Sequence, residues 1–333
     1  MNGSLSFLKF NAIFRVTRSF ELQEFTGMTF HRMMGWAFSK VAFGIASSCD
    51  TCPCRPQCRH VDLFTYFTRS PADHPFIHES LTDIPLKQET YPPPYVLDPP
   101  DPRFYPEGSA ITLGITLIGK AISLSPFVFC ALKQFRFWRI GNSTDCMFLE
   151  AVIDGLPQNS LPTGKFYDVK TDRPYVIDRA SNYNFETVLS RLETSFFIQE
   201  PIEEMVIEFL TPFRYKSENR IGRTLDFPVF IRNILRRLTL LSVHSPPVFT
   251  ADFRSLVERA KGITALPTLE WREFRHISSK EKKVRLFGGY VGEIRFSGDL
   301  AAFLSYIKMG EYLHVGKNTS FGFGKYRIIR SEL

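Results

Sequence analysis

Between Gly316 and Gly324 the chain places three glycines within nine residues, with Lys317 and Lys325 beside them. Glycine has no Cβ, so it takes a positive φ without penalty and lets a second backbone come close. Few segments constrain a fold more: the stretch from Met309 to Tyr326, MGEYLHVGKNTSFGFGKY, has to be a turn rather than a continuous helix or strand. Two uses fit it. Exposed N–H groups in such a turn form an anion-binding concavity, and flanking lysines add charge that suits a polyanion. The same spacing would equally serve a plain glycine-rich hairpin ahead of the last strand, Tyr326 to Arg330.

The flanks limit the choice. Phe287 to Phe296, FGGYVGEIRF, alternates as a strand entered through a glycine turn. Asp299 to Ile307 reads as a short helix capped by Ser297 or Asp299. The expected order around the turn is strand, helix, strand, glycine loop, strand.

Charge is placed unevenly. Residues 201–333 hold 22 basic and 14 acidic side chains, whereas residues 1–200 hold 19 and 20. The excess therefore sits in the half that carries the glycine turn. Arginine outnumbers lysine 26 to 15, and its planar fork suits bidentate phosphate contact, which points to nucleic acid. A solvated basic face without a ligand is the plainer alternative. At 333 residues and 44% hydrophobic, the chain is long enough for two domains with separate cores. No run of 18 uninterrupted apolar residues is present, so no membrane partner is expected. The first residues, MNGSLSFLKFNAIFRV, lack the pattern of a signal peptide, and a cytoplasmic location is expected.

From the N-terminus, residues 5–20 read as a strand. Thr29 is then the expected cap of a helix whose stripe is Phe30, Met34, Ala37, Phe38 and Val41. His31 lies beside that stripe near the helix start. Cys49, Cys52, Cys54 and Cys58 follow within ten residues, a pattern that favours metal over disulfides in a reducing compartment. A structural zinc is the metal reading; free thiols or a redox-sensitive loop is the other, because a distant second ligand pair is missing. Cys130 and Cys146 stand apart and read as core residues.

Residues 85–106 hold eight prolines and read as an extended arm. A strand from Ala110 to Gly119, a helix from Ile122 to Phe135, and strands at Phe148 to Ile153 and Lys165 to Val169 complete the first half. Asp172 to Ser195 is polar and is the expected linker. Glu204 to Pro212 opens the second half as a strand, followed by a basic run, Arg214, Lys216, Arg220 and Arg223. Asp226 to Leu241 has the clearest helical stripe, with Arg232 and Arg236 four apart on its solvent side, in reach of phosphates or simply solvated. Residues 269–287 interleave Trp271, Arg272, Arg275, His276, Lys280, Lys282, Lys283 and Arg285, the mixture that single-stranded or hairpin RNA uses for stacking and phosphate pairing.

Together, LHVGKNTSFGFGKY, LEWREFRHISSKEKKVRLFGGYVGEIRF and, more weakly, PPPYVLDPP…YPEGSAITLGITLIGKA resemble the CRISPR-associated endoribonucleases of the RAMP superfamily, the Cas-six family, which cut precursor CRISPR RNA within its repeats. The resemblance implies an α+β fold of two tandem ferredoxin-like, RNA-recognition-like domains with a C-terminal glycine-rich loop. The expected limits are 1–171, with cysteine-containing and proline-rich insertions, a linker at 172–200, and an RNA-binding domain at 201–333. It implies attack of a ribose 2′-hydroxyl on its own phosphorus, giving 2′,3′-cyclic phosphate and 5′-hydroxyl ends without a catalytic cofactor. Such a reaction needs in-line geometry, proton transfer and stabilisation of phosphorane charge.

In that family a catalytic histidine commonly sits in or near the first helix, and His31 fits as general acid or base, although many members carry Arg at the corresponding position. A half-buried helix residue or a phosphate contact are the other readings of His31. Lys317 is the candidate for phosphorane charge. His314, Gly316, Gly322, Gly324, Lys325, Arg232, Arg236, Arg272 and Arg275 are the candidate RNA contacts, with His314 also shaping the loop. His276 is a more distant candidate, and His60, His74, His78 and His244 read as structural or incidental. The expected partners are CRISPR repeat RNA, a CRISPR effector complex and, as one open assembly, a second copy of the chain in a homodimer. A catalytically silent RNA-binding subunit of an effector complex is the alternative function.

Overall fold

The computed structural model describes residues 5–22, 25–44, 59–77, 89–140, 143–155, 165–171, 173–174, 203–217, 220–222, 225–246, 249–277 and 284–329. Cys49, Cys52, Cys54 and Cys58 lie outside these residues, as do most of the expected linker and Lys280, Lys282 and Lys283. No helix among the described residues is long and apolar enough to cross a membrane. The chain divides into two compact units, one of Ser6–Asn182 with Val243–Pro246, the other of Met1–Leu5, Tyr183–Ser242 and Pro247–Leu333.

The unit of Ser6–Asn182 is built on β1 (Phe7–Val16), α1 (Thr26–Phe43), α2 (Arg59–Thr68), β2 (Tyr95–Asp98), β3 (Ala110–Ile118), α3 (Ser125–Lys133), β4 (Met147–Asp154), β5 (Lys165–Asp168) and β6 (Arg173–Pro174). Its antiparallel sheet runs β2-β3-β1-β4-β5-β6, so the first strand lies in the middle, between the third and the fourth. Alternation along β1 points Phe10, Ala12, Phe14 and Val16 inward. Helices α1 and α3 and the 3₁₀ turn Gln134–Phe137 supply the other wall: Phe10 meets Phe129 edge-on at 5.4 Å, Phe14 stacks on Phe135 at 5.3 Å, and Phe38 stacks on Phe127 at 5.5 Å.

Helix α1 starts three residues before the expected cap at Thr29. Phe25 takes the cap position in a left-handed conformation, and the buried Thr26 hydroxyl donates to the Pro100 carbonyl instead of closing the helix end. The proline-rich arm also holds more order than its composition implies, because Tyr95–Asp98 pairs with Gly114–Leu117 as an edge strand.

The second unit is built on β7 (Glu204–Phe213), α4 (Phe227–Ser242), α5 (Phe253–Ala260), β8 (Thr264–Ile277), β9 (Val284–Ser297), α6 (Leu304–Leu313) and β10 (Tyr326–Ile329). Its antiparallel sheet runs β8-β9-β7-β10, with the first strand again between the third and the fourth. Helix α4 is closed at its start by Asp226, whose carboxylate accepts from the Val229 N–H at 2.7 Å. Its apolar stripe packs Phe227 and Phe230 on Phe296 at 4.8 and 5.4 Å.

One expectation is corrected here, and one stretch gains a structure that its composition did not specify. Helix α6 runs on to Leu313, so no strand separates it from the glycine turn, which begins at His314. The basic and aromatic stretch at 269–287 is largely a long hairpin, β8 paired with β9 in unbroken register from Thr264↔Ser297 to Ile277↔Val284. Strand β7 pairs with β9 only as far as Phe213↔Tyr290, so the paired segments 272–277 and 284–289 of the hairpin extend past the rest of the sheet.

Candidate functional site

In the first unit, His31 occupies the second turn of α1 and is half-buried. Its Nδ1 lies 3.3 Å from the hydroxyl oxygen of Tyr95, and the two rings stand 6.4 Å apart at 30°. Tyr95 is buried on edge strand β2, and that burial holds its phenol protonated well above the ordinary tyrosine range. A phenol kept as O–H donates to the neutral imidazole and leaves the histidine proton on Nε2; it accepts from Nδ1 when the ring is charged. The pair can thus orient one histidine in both protonation states.

In the second unit, the glycine turn folds back on the end of β7. The Val315 N–H donates to the Gly324 carbonyl at 3.0 Å, Lys317 N–H to Arg214 at 2.7 Å, and Gly324 N–H to Pro212 at 3.0 Å. Lys325 N–H donates to the Thr211 hydroxyl at 2.9 Å, and that hydroxyl donates to the Gly322 carbonyl at 2.7 Å. Further N–H groups, those of Phe321, Gly322 and Phe323, close turns onto Asn318 and Thr319. The expected row of exposed amides is therefore corrected. Most of the turn's N–H groups already donate within the protein, and the glycines serve close approach. Gly324 has φ +70°, and a Cβ there would stand 1.7 Å from the Val315 carbonyl oxygen; Gly316 has φ +91° and 2.5 Å to the Arg214 carbonyl oxygen. Gly322 and Gly324 are buried.

His314 is buried as well, with Nδ1 3.2 Å from the Phe323 carbonyl, so it shapes the turn from inside. Lys317 is exposed at the turn and Lys325 is half-buried beside it. The turn packs on the projecting hairpin through Phe321 against Phe287 and Phe323 against Phe274, at 6.2 and 6.3 Å. Arg214 ties the two together: its carbonyl accepts from the turn, and its Nη1 donates to the Gly288 carbonyl at 3.1 Å. On the hairpin, Trp271 lies across Gly288, meets Tyr290 edge-on at 5.2 Å and remains 40% exposed, with Arg272 exposed next to it. The structure thus brings Lys317, Lys325, Arg214, Arg272 and Trp271 onto one turn-and-hairpin assembly. The side chains of Arg275 and His276 lie outside the described residues.

On α4, Arg232 is exposed and Arg236 half-buried. The third arginine of that helix escaped the sequence reading. Arg237 is buried, its Nε donates to the Leu313 carbonyl at 3.4 Å, and its Nη2 has no partner among the described residues. Burial pulls its guanidinium down to about 9, which still leaves it charged at neutral pH. The signal was in the spacing: position 237 falls at i+3 from Ile234, on the apolar stripe. A cation at the C-terminal end of α6 complements the helix dipole and fixes the residue from which the glycine turn departs.

Comparison with known proteins places this geometry. Residues 5–171 match the family model AF_1859_N, described as an N-terminal domain, and residues 207–326 match the CRISPR-associated endoribonuclease Cas6. Residues 207–326 form a Cas6-family domain. Among solved structures it resembles Thermus thermophilus Cas6 with a TM-score of 0.52 and 14% identity, over 99% of this chain and 100% of that one. It resembles a chain of a partial Cas6-RT-Cas1–Cas2 complex equally, at 0.52 and 16% identity over 98% of this chain. The chain spans about half of that relative, 46%, and 29% of the matching chain in the Cas6-RT-Cas1–Cas2 complex. At these identities the likeness shows a Cas6-like fold. A comparison with curated proteins finds no match.

Proposed function

We propose that this Cas6-family protein is a metal-independent endoribonuclease that cuts precursor CRISPR RNA within its repeats. The observation that carries the reading is the match of residues 207–326 to the Cas6 endoribonuclease model, over the unit that presents the lysine-edged turn and the hairpin. In this reading both units are ferredoxin-like domains, a proposal supported by their shared strand order, in which the first strand lies between the third and the fourth. The limits 1–171 and 201–333 belong to it too, supported by the division of contacts between Asn182 and Tyr183.

The chemistry asks little of the protein beyond position and charge. A ribose 2′-hydroxyl attacks the adjacent phosphorus, the P–O bond to the 5′-oxygen of the next nucleotide breaks, and the products carry a 2′,3′-cyclic phosphate and a 5′-hydroxyl. The nucleophile is already tethered, so orientation supplies much of the acceleration. His31, steered by Tyr95, takes or gives the proton, and Lys317 offsets the charge that builds on the phosphorane oxygens. Arg232, Arg236, Arg272 and Lys325 hold phosphates, while His314, Gly316, Gly322 and Gly324 keep the turn in the shape that presents Lys317. Trp271 supplies a stacking face for an unpaired base.

A silent RNA-binding subunit of an effector complex is the second reading. It is favoured by the burial of His314, which leaves the described surface of the turn and hairpin with cations and aromatic rings but no histidine. Incubation with the cognate repeat RNA in excess EDTA separates the two. Scission within the repeat is expected, and a mobility shift with intact RNA would establish the binder instead. A structural zinc on Cys49, Cys52, Cys54 and Cys58 is part of the same proposal, supported by their spacing. Metal analysis of unchelated protein should give about one zinc per chain, and clearly substoichiometric metal removes it.

A further inference from the structure

The first unit carries a basic groove that the proposed chemistry does not use. It has a volume of about 600 Å³ and is rimmed by Arg18, Lys133 and Arg136, with one carboxylate, Asp145, among them. This charge is local, because residues 1–200 as a whole hold 19 basic and 20 acidic side chains. The rim is stitched together by backbone bonds. Thr17 and Arg18 N–H groups donate to the Cys146 carbonyl at 2.9 and 3.4 Å, and Asp145 N–H donates to Arg136 at 2.8 Å. Lys133 ends α3 and Arg136 follows in the short 3₁₀ turn Gln134–Phe137, so the two stand three apart.

Aromatic rings accompany the cations. Lys133 Nζ lies 5.7 Å from the ring centre of Tyr167, and the Arg136 guanidinium 5.1 Å from that of Phe137. Phe137 is 53% exposed, a large apolar surface left in water next to a guanidinium. Asp145 holds Arg136 only at 3.3 Å, with both side chains about half exposed, a pairing of little worth in water and readily exchanged for phosphate. Spaced cations with exposed rings are what a flexible polyanion carrying flat bases requires, and the rings suit bases better than an acidic peptide's carboxylates.

We propose that this groove holds a single-stranded stretch of RNA, with phosphates on Arg18, Lys133 and Arg136 and a base against Phe137, which lies beside Arg136 outside the groove's own lining. The inference rests on the reading of the chain as an RNA-processing protein and gives that RNA a second place to bind. The test is the anisotropy of a short fluorescent oligouridylate, which contains no repeat, as salt rises from about 50 to about 200 mM. For single strands each phosphate contact adds about 0.7 to the salt slope, so Arg18→Ala with Arg136→Ala should lower it by about 1.4 and weaken low-salt binding roughly tenfold or more. An unchanged slope and affinity would overturn the proposal.

Photocrosslinking of a 4-thiouridine oligonucleotide to the unaltered protein checks it without a variant. Adducts on residues 133–149 or 165–169 support the groove, and adducts confined elsewhere overturn it. Free uridine monophosphate binding as tightly as the oligomer would also overturn it, as the mark of a nucleotide pocket. Repeat cleavage by the same preparation keeps the two readings apart: cutting without groove adducts sinks the groove alone, and groove adducts without cutting sink the nuclease alone.

Discussion

Replacing His31 by alanine lowers the single-turnover rate of repeat cleavage by roughly 10²-fold or more, while binding of the repeat changes little. A positioned acid or base commonly contributes a factor of this size, equivalent to about 2.7 kcal/mol of barrier. The histidine is half-buried on a helix, and Tyr95 restrains its ring through Nδ1. Restraint of that kind favours Nε2 as the proton-carrying atom. His314, on the glycine turn of the second unit, is buried against the Phe323 carbonyl and offers no exposed substitute. An unchanged rate in the variant would therefore remove proton transfer from His31 and shift weight to the RNA-holding reading.

Gly324→Ala destabilises the second unit by about 3 kcal/mol, read as a lower urea midpoint. The left-handed conformation at φ +70° costs a residue with a Cβ about 1–2 kcal/mol. The added carbon would also stand 1.7 Å from the Val315 carbonyl oxygen, so the turn has to open. Opening it forfeits the bonds from Val315 N–H to Gly324 and from Gly324 N–H to Pro212, worth about 1 kcal/mol each. Gly108 provides the control. It has φ +81° with nothing within 4 Å of a Cβ, so Gly108→Ala should cost the conformational part only. Equal losses in the two variants would contradict the packing described for the turn.

The contrast between those glycines also shows what the sequence could and could not reveal. A cluster of glycines announces close approach, but whether the partner is a phosphate or the protein's own carbonyls depends on residues 211–214, about a hundred positions away. Helix α4 was legible because its apolar stripe repeats at helical spacing, whereas the cap at Asp226 came to light only in the structure. Helix α1 was legible in its core face but not at its start, where Phe25 in a left-handed conformation replaces the side-chain cap that Thr29 would give. Edge strand β2 was hidden by the prolines on either side of it, and with it Tyr95, the residue that turns His31 from a helix position into an oriented group. Arg237 was overlooked for a physical reason. A charged residue on an apolar stripe reads as an outlier until the Leu313 carbonyl it serves, 76 residues along the chain, is seen beside it.

The most direct measurement of the proposed reaction replaces one atom of the substrate. When the 2′-hydroxyl upstream of the cut is changed to hydrogen, the nucleophile is gone while the phosphates that the cations would hold remain. Cleavage should be abolished, with the affinity for the repeat largely retained. Cutting that persisted on the 2′-deoxy substrate would contradict attack by the RNA's own sugar, and with it the roles assigned to His31 and Lys317.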